Sequence, residues 1–230
     1  MRHAHVAAIA SMIIQMIIAM VLAYLAGSIP TGLWVGQRLR GIDIRNYGSG
    51  NLGATNAFRV LGKKLGTFVL LIDILKGVIP VALFPRLVGI SDPTAGQEIL
   101  VGVCAIAGHV LSFFVNFKGG KGVATALGVF LAIAPFEMAI ILVIGIAIIA
   151  ITGYVSLASI TGAILLPIFL FMTNRDTVVL LVGMLISILI LYRHRSNLVR
   201  LMQGRENRFY ATTSTGPEQE EELNASVRNK

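Results

Sequence analysis

Charge is scarce in this chain of 230 residues. Asp, Glu, Lys and Arg together make up 13%, and the eleven acidic residues are outnumbered by nineteen Lys and Arg. There is a single cysteine, Cys104, within an apolar run. It reads as a small buried apolar side chain, and one cysteine excludes both an intrachain disulfide and a cysteine-rich metal site. Carboxylates do not cluster: Asp43 is the only acid between Arg38 and Lys64, and none lies between Asn116 and Thr125. A transferase needing carboxylate-bound Mg²⁺ is therefore disfavoured, and no metal or cofactor is expected. No Gly-Lys-Ser/Thr closes a Walker A loop.

Apolar residues, by contrast, supply 56% of the chain and the mean hydropathy is +0.82. That is more than one soluble core could absorb, so the chain reads as an all-α integral membrane protein with a single polytopic domain over residues 1–208. Apolar runs predict seven transmembrane helices: 6–35, 65–84, 99–115, a short tilted or re-entrant 123–134, 136–151, 157–172 and 177–191. Residues 209–230, rich in Thr, Ser and Glu, read as a disordered acidic tail. The net charge of +8 does not form a basic face on a soluble domain, so nucleic acid is not expected. Fifteen of the nineteen Lys and Arg fall in 38–64, at Lys118 and Lys121, or after Tyr192. By the positive-inside rule the amino terminus lies outside and the carboxyl terminus in the cytoplasm. An odd span count agrees.

Three polar clusters then meet on the cytoplasmic face. The first, GSGNLGATN from Gly48 to Asn56 followed by Arg59, alternates glycines with Ser49, Asn51 and Thr55; such a run exposes amides and hydroxyls around an anion, with Arg59 available for a bidentate phosphate contact. The second, NFKGGKGVAT from Asn116 to Thr125, places Lys118 and Lys121 among Gly119, Gly120 and Gly122 ahead of a helix, which is the chemistry of a phosphate site or of an ordinary basic turn. The third, RHRSNLVRLMQGREN from Arg193 to Asn207, brings His194, Asn197 and Glu206 among arginines, either as a site or as a juxtamembrane basic helix. Asp73 and Lys76, three apart inside a span, share a helix face and imply either a buried pair or a ligand contact. His109 reads as a packing residue or an active-site one.

These motifs carry a resemblance. GSIPTG at Gly27 to Gly32, GSGNLGATN, DILKG at Asp73 to Gly77, Gly108-His109, FKGGKGVAT and RHRSNLVRLMQGREN occur in the order found in the PlsY family of acyl-phosphate:glycerol-3-phosphate acyltransferases, which the chain resembles from about Gly27 to Asn207. Ser112 differs, standing where many members have proline. The resemblance implies transfer of a fatty acyl group from acyl phosphate to the sn-1 hydroxyl of glycerol 3-phosphate, in the bacterial inner membrane and without a cofactor. It implies catalytic roles for Ser49, Arg59, His194, Asn197 and Glu206, and substrate contacts for Thr55, Lys118, Gly119, Gly120, Lys121, Gly122 and Ser156. Implied partners are glycerol 3-phosphate, acyl phosphate, membrane lipid and the enzyme that makes acyl phosphate. The family does not use the His-x-x-x-x-Asp motif of other acyltransferases. In agreement, the residues five places after the four histidines are Ala8, Ala10, Phe114 and Val199. A seven-span transporter of an organophosphate is the rival class, disfavoured because the polar clusters gather on one face.

Overall fold

The computed structural model describes residues 2–209, all of whose regular structure is helical. The expected tail from residue 210 onward lies outside the described residues. Ten α-helices follow one another: α1 Arg2–Ser28, α2 Thr31–Arg40, α3 Ala54–Leu61, α4 Lys63–Leu87, α5 Ala95–Val110, α6 Val123–Ile133, α7 Pro135–Thr152, α8 Val155–Met172, α9 Thr177–Arg193 and α10 Arg195–Met202.

Five segments are long and apolar enough to cross a bilayer by themselves: α1, α4, α5 with the turn that follows it, α7 and α8. Helix α9 qualifies only together with α10, from which it is bent by 56° at His194. The 11 residues of α6 rise about 16 Å, well short of a ~30 Å hydrocarbon core. Lipid-facing character is plain on the outer surfaces, where Val143, Ile151, Phe171, Leu185 and Ile188 are all more than half exposed. In water such a surface would aggregate; in lipid it is solvated.

Three sequence boundaries change. The expected first span, 6–35, is broken at Ile29 and Pro30, because proline has no N–H to continue the helix; α2 starts anew at Thr31. Helix α5 starts before Ile99, fixed by a capping box in which the Thr94 hydroxyl accepts from the Gln97 amide and Gln97 Oε1 accepts from the Thr94 amide. It ends at Val110 in place of Val115. The polar connection 38–64 contains a helix of its own, the amphipathic α3.

The core lies mainly among α4, α5, α6, α8 and α9, around Val81, Ile106, Val129, Phe130, Leu166 and Ile186. Helices α4 and α6 approach through glycines: a Cβ on Gly77 would sit 2.2 Å from the Thr125 carbonyl oxygen, and one on Gly128 would sit 2.0 Å from that of Ile74. Association in lipid depends on such close backbone contact. Against the same crossing, Asp73 and Lys76 form a buried ion pair at 2.7 Å. Thr31 Oγ1 donates to Asp73 at 3.1 Å, Lys76 Nζ donates to the Ile29 carbonyl, and Thr125 Oγ1 donates to the Asp73 carbonyl at 3.1 Å. The Lys76 ammonium thus shares the Ile29 carbonyl, at the break before α2, with the Thr31 amide, and the pair ties the α1–α2 break to α4 and α6. Of the two sequence readings, structural pairing is what these contacts display.

Candidate active site

The first glycine loop, from Tyr47 to Gly53, is wound around one buried amide. Asn56, on α3, donates from Nδ2 to the carbonyls of Ile44 (3.0 Å) and Tyr47 (3.2 Å), and its Oδ1 accepts from the Ser49 amide (2.8 Å) and hydroxyl (3.2 Å). Gly48 and Gly50 have φ of +60° and +67°, and a Cβ on Gly48 would lie 2.4 Å from Asn56 Oδ1, so the turn requires glycine twice over. Among the described residues Asn56 is the one side chain bonded to Ser49. An amide oxygen is no base, so the contact this hydroxyl makes fixes its position and does not activate it.

The second loop is organised differently from its sequence reading. The amides of Gly119 and Gly120 donate to the carbonyls of Val110 and His109, both at 3.1 Å, capping the end of α5. Their own carbonyls accept from Arg193 Nη2 at 3.3 and 2.8 Å. A Cβ on Gly119 would stand 2.0 Å from the His109 carbonyl oxygen, and one on Gly120 2.3 Å from His109 Nε2. These two glycines therefore serve close packing against α5, and their amides are committed. The free anion donors come one step later. Gly122, at φ +86°, caps α6, whose first intrahelical bond is from Ala126 to Gly122. The amides of Val123, Ala124 and Thr125 have no acceptor inside the helix, and the helix dipole stands behind them.

The third cluster closes the site. Beyond the end of α9, His194 is buried, and its Nδ1 donates to the Ile190 carbonyl at 2.8 Å, leaving Nε2 as the acceptor nitrogen. Burial pushes the imidazole down to about 4, so the ring is neutral. Glu206 Oε1 accepts from Ser156 Oγ (2.9 Å) and Asn197 Nδ2 (2.8 Å), and Oε2 accepts from Arg200 Nε (2.8 Å). Burial pushes this carboxyl up, but the three donors outweigh it and hold it below its usual range. Lys121 Nζ donates to Asn197 Oδ1. Burial lowers Lys121 to about 8, with Glu206 opposing the shift and Arg200, Arg193 and Arg59 adding to it. Arg59 donates to the Asn207 carbonyl at 3.2 Å; burial lowers it too, yet a guanidinium stays charged at any physiological pH.

Residues of all three clusters border one cavity of about 860 Å³. Its polar end is lined by Ser49, Thr55, Arg59, Lys121, Gly122, Ser156, His194, Asn197 and Glu206. The remainder is an apolar arm between α6, α7 and α8, lined by residues including Phe130, Met138, Ile146 and Leu166. Nine of the twelve site residues expected from sequence thus come together. Gly119, Gly120 and Lys118 are not among its lining residues, Gly120 being buried and Lys118 exposed. Sequence reasoning missed Asn56 and Arg200 as the residues that hold Ser49 and Glu206 in place. Asn56 stood inside the GATN motif but looked like one more polar loop residue; Arg200, one of several arginines, had no distinguishing signal. Asp73 and His109 also reach the cavity wall. Among the described residues no three His, Cys, Asp or Glu side chains converge as a metal site would require.

An elongated cavity with three cations and free helix amides at one end, and only hydrocarbon at the other, accommodates an amphiphile carrying phosphate. Comparison with known proteins agrees with that chemistry. The profile of a family described as Glycerol-3-phosphate acyltransferase matches residues 17–204. A protein named glycerol-3-phosphate acyltransferase from Fusobacterium nucleatum is 47% identical over 189 residues, covering 82% of this chain and 95% of that one. Two crystal structures of PlsY, an integral membrane glycerol 3-phosphate acyltransferase, are similar in fold. The glycerol 3-phosphate form has a TM-score of 0.77 at 43% identity, covering 84% of this chain and 94% of that one. The lysophosphatidic acid form has a TM-score of 0.75 at 42% identity, covering 86% and 96%.

Proposed function

The chain belongs to the glycerol-3-phosphate acyltransferase family, and from that premise we propose that its cavity joins a fatty acyl group, delivered as acyl phosphate, to the sn-1 hydroxyl of glycerol 3-phosphate. The products are lysophosphatidic acid and inorganic phosphate. The observation that carries this reading is the continuity of one cavity lined by polar residues and by the apolar residues of α6, α7 and α8; on this proposal the acyl chain takes the apolar arm and both phosphates the polar end.

Acyl phosphate is already an activated mixed anhydride, so the protein needs to align and neutralise more than to activate. Arg59, Lys121 and the first amides of α6 hold phosphate oxygens. Ser49, fixed by Asn56, points a hydroxyl at the polar groups of substrate. The glycerol hydroxyl oxygen attacks the carbonyl carbon; the ester C–O bond forms as the C–O bond to phosphate breaks, and the hydroxyl proton leaves on the phosphate. A phosphate group with a pKa near 6 is a better proton acceptor than an imidazole lowered to about 4, so His194 orients the hydroxyl through Nε2 and the phosphate takes the proton. Asn197, itself held by Glu206 together with Ser156, keeps Lys121 in register, and the Ile190 carbonyl does so for His194. Thr55 faces the same space.

The topology belongs to this proposal. Counting α6 and α9 as crossings gives seven spans, and the distribution of Lys and Arg puts the amino terminus outside and the cavity on the cytoplasmic side of the bacterial inner membrane. There it can receive acyl phosphate from the enzyme that makes it. Residues 1–208 act as one catalytic domain.

The test is acyl transfer by purified protein in detergent or lipid cubic phase, from palmitoyl phosphate to glycerol 3-phosphate, following lysophosphatidic acid and phosphate. Turnover that survives EDTA, is not supported by palmitoyl-CoA and disappears in Ser49→Ala is expected. Folded protein that binds glycerol 3-phosphate but transfers from no donor would refute the reading and favour transport.

A further inference from the structure

Lys118, which the sequence places at the phosphate site, lies outside it, beside a surface that the reaction does not use. We infer that Trp34, Arg38, Phe113, Phe114, Phe117 and Lys118 form a binding site for an anionic phospholipid of the surrounding leaflet, separate from the catalytic cavity.

The rings form a continuous chain. Trp34 on α2 meets Phe114 edge-on at 5.5 Å, Phe114 meets Phe113 at 5.7 Å, and Phe113 meets Phe117 at 6.3 Å between centroids. Yet Phe113, Phe114 and Phe117 are 59, 47 and 57% exposed, so this is not a core. The backbone is strained to present it: Asn116 and Phe117 have φ of +53° and +59°, a region that a bulky side chain rarely occupies. The Phe117 amide is pinned there by the Ser112 carbonyl at 2.8 Å.

Cations stand at both ends of the ring chain. The Arg38 guanidinium lies over Trp34, 5.8 Å from its centroid. Lys118 follows Phe117 directly and is exposed, and its ammonium has no hydrogen bond or ion pair among the described residues. Sequence along α2 agrees, since beyond the packed Leu33 and Val35 its exposed end carries Gln37, Arg38 and Arg40 beside the apolar Leu39, the mixture of cationic and apolar side chains that suits a headgroup boundary. Aromatic rings gather at that level and seat the glycerol and upper acyl chain, while paired cations select a negatively charged headgroup. Charge complementarity therefore names the occupant. The leaflet concerned is the cytoplasmic one, a point that rests on the orientation proposed above.

Trp34 is the sole tryptophan, so its fluorescence reports this site alone. The full chain is placed in phosphatidylcholine nanodiscs containing a minor fraction of either brominated phosphatidylglycerol or brominated phosphatidylcholine. We expect the anionic quencher to reach a given quenching at a mole fraction about fivefold lower for each cation engaged. The advantage should shrink in Arg38→Gln and in Lys118→Gln, and in high salt. Equal quenching by the two lipids, or an anionic advantage unchanged in both variants, would overturn the inference. Acyl transfer measured on the same nanodiscs separates the two proposals. Turnover with equal quenching overturns only the lipid site, and selective quenching without turnover supports the lipid site while refuting the catalytic reading.

Discussion

Glu206→Gln removes a charge while keeping nearly the same shape. The new amide oxygen could still accept from Ser156 and Asn197, but the amide NH₂ would face Arg200 Nε, donor against donor. Hydrogen bonds to charged groups contribute about 1.5–3 kcal/mol and neutral ones about 1 kcal/mol. Arg200 is 40% exposed, so its bond is discounted to about 1 kcal/mol for screening. Weakening of the other two bonds adds about 2 kcal/mol. The sum, about 3 kcal/mol, corresponds to roughly a 100-fold loss in kcat/KM if it is expressed in the placement of Asn197 and Lys121. A second consequence has a definite sign. Glu206 raises the pKa of Lys121 against burial, so neutralising it lowers that pKa below about 8. Phosphate binding needs the charged lysine, and the alkaline limb of kcat/KM for glycerol 3-phosphate should move to lower pH. The assay is the pH profile of both proteins with palmitoyl phosphate as donor, alongside thermal unfolding in detergent. A variant within threefold of the parent at neutral pH, or an alkaline limb that does not move, would refute the coupling; a loss matched by unfolding would refute its catalytic origin.

Three further outcomes follow from the same contacts. Lys121→Arg should flatten the alkaline limb whatever its absolute rate, because arginine does not titrate there; a limb that persists near pH 8 would assign it to another group. Gly120→Ala should lower unfolding stability by about 1–3 kcal/mol, since its Cβ would meet His109 Nε2 at 2.3 Å, whereas Gly96→Ala, whose Cβ would have no neighbour closer than 3.8 Å, should not. Equal melting temperatures would show that Gly120 serves anion binding and not packing. Asp73→Leu should cost about 3–5 kcal/mol by stranding the Lys76 charge, and Asp73→Leu with Lys76→Leu should recover part of it; a double variant no better than the single one would show that the pair itself is not the source.

Asn56 illustrates how the site exceeds its motif. The glycines of GSGNLG announced a turn, and Ser49 and Arg59 were visible as its functional side chains, but nothing local says that the turn folds around an asparagine seven residues after Ser49. Gly119 and Gly120 show the converse ambiguity: glycines beside lysines read as an anion cradle, and here the lack of a Cβ also lets the chain touch α5. The two demands have the same sequence signature and differ only in what lies opposite.

Membrane embedding, all-helical class, the family and nine residues at the cavity were legible in the sequence because each is local or compositional: apolar runs, glycine spacing, and motif order along the chain. The breaks at Pro30 and His194 decided how those runs are divided. Only the tertiary structure decided which amides are free, that Glu206 gathers Ser156, Asn197 and Arg200, that Lys118 is exposed while Lys121 lines the cavity, and that burial rather than a partner sets the charge of His194. Some of these contacts are near in sequence, Glu206 to Asn197 and Arg200 among them, but the site closes through pairs 50 to 148 residues apart, and pattern along a sequence carries no information about which distant groups share a low-dielectric space.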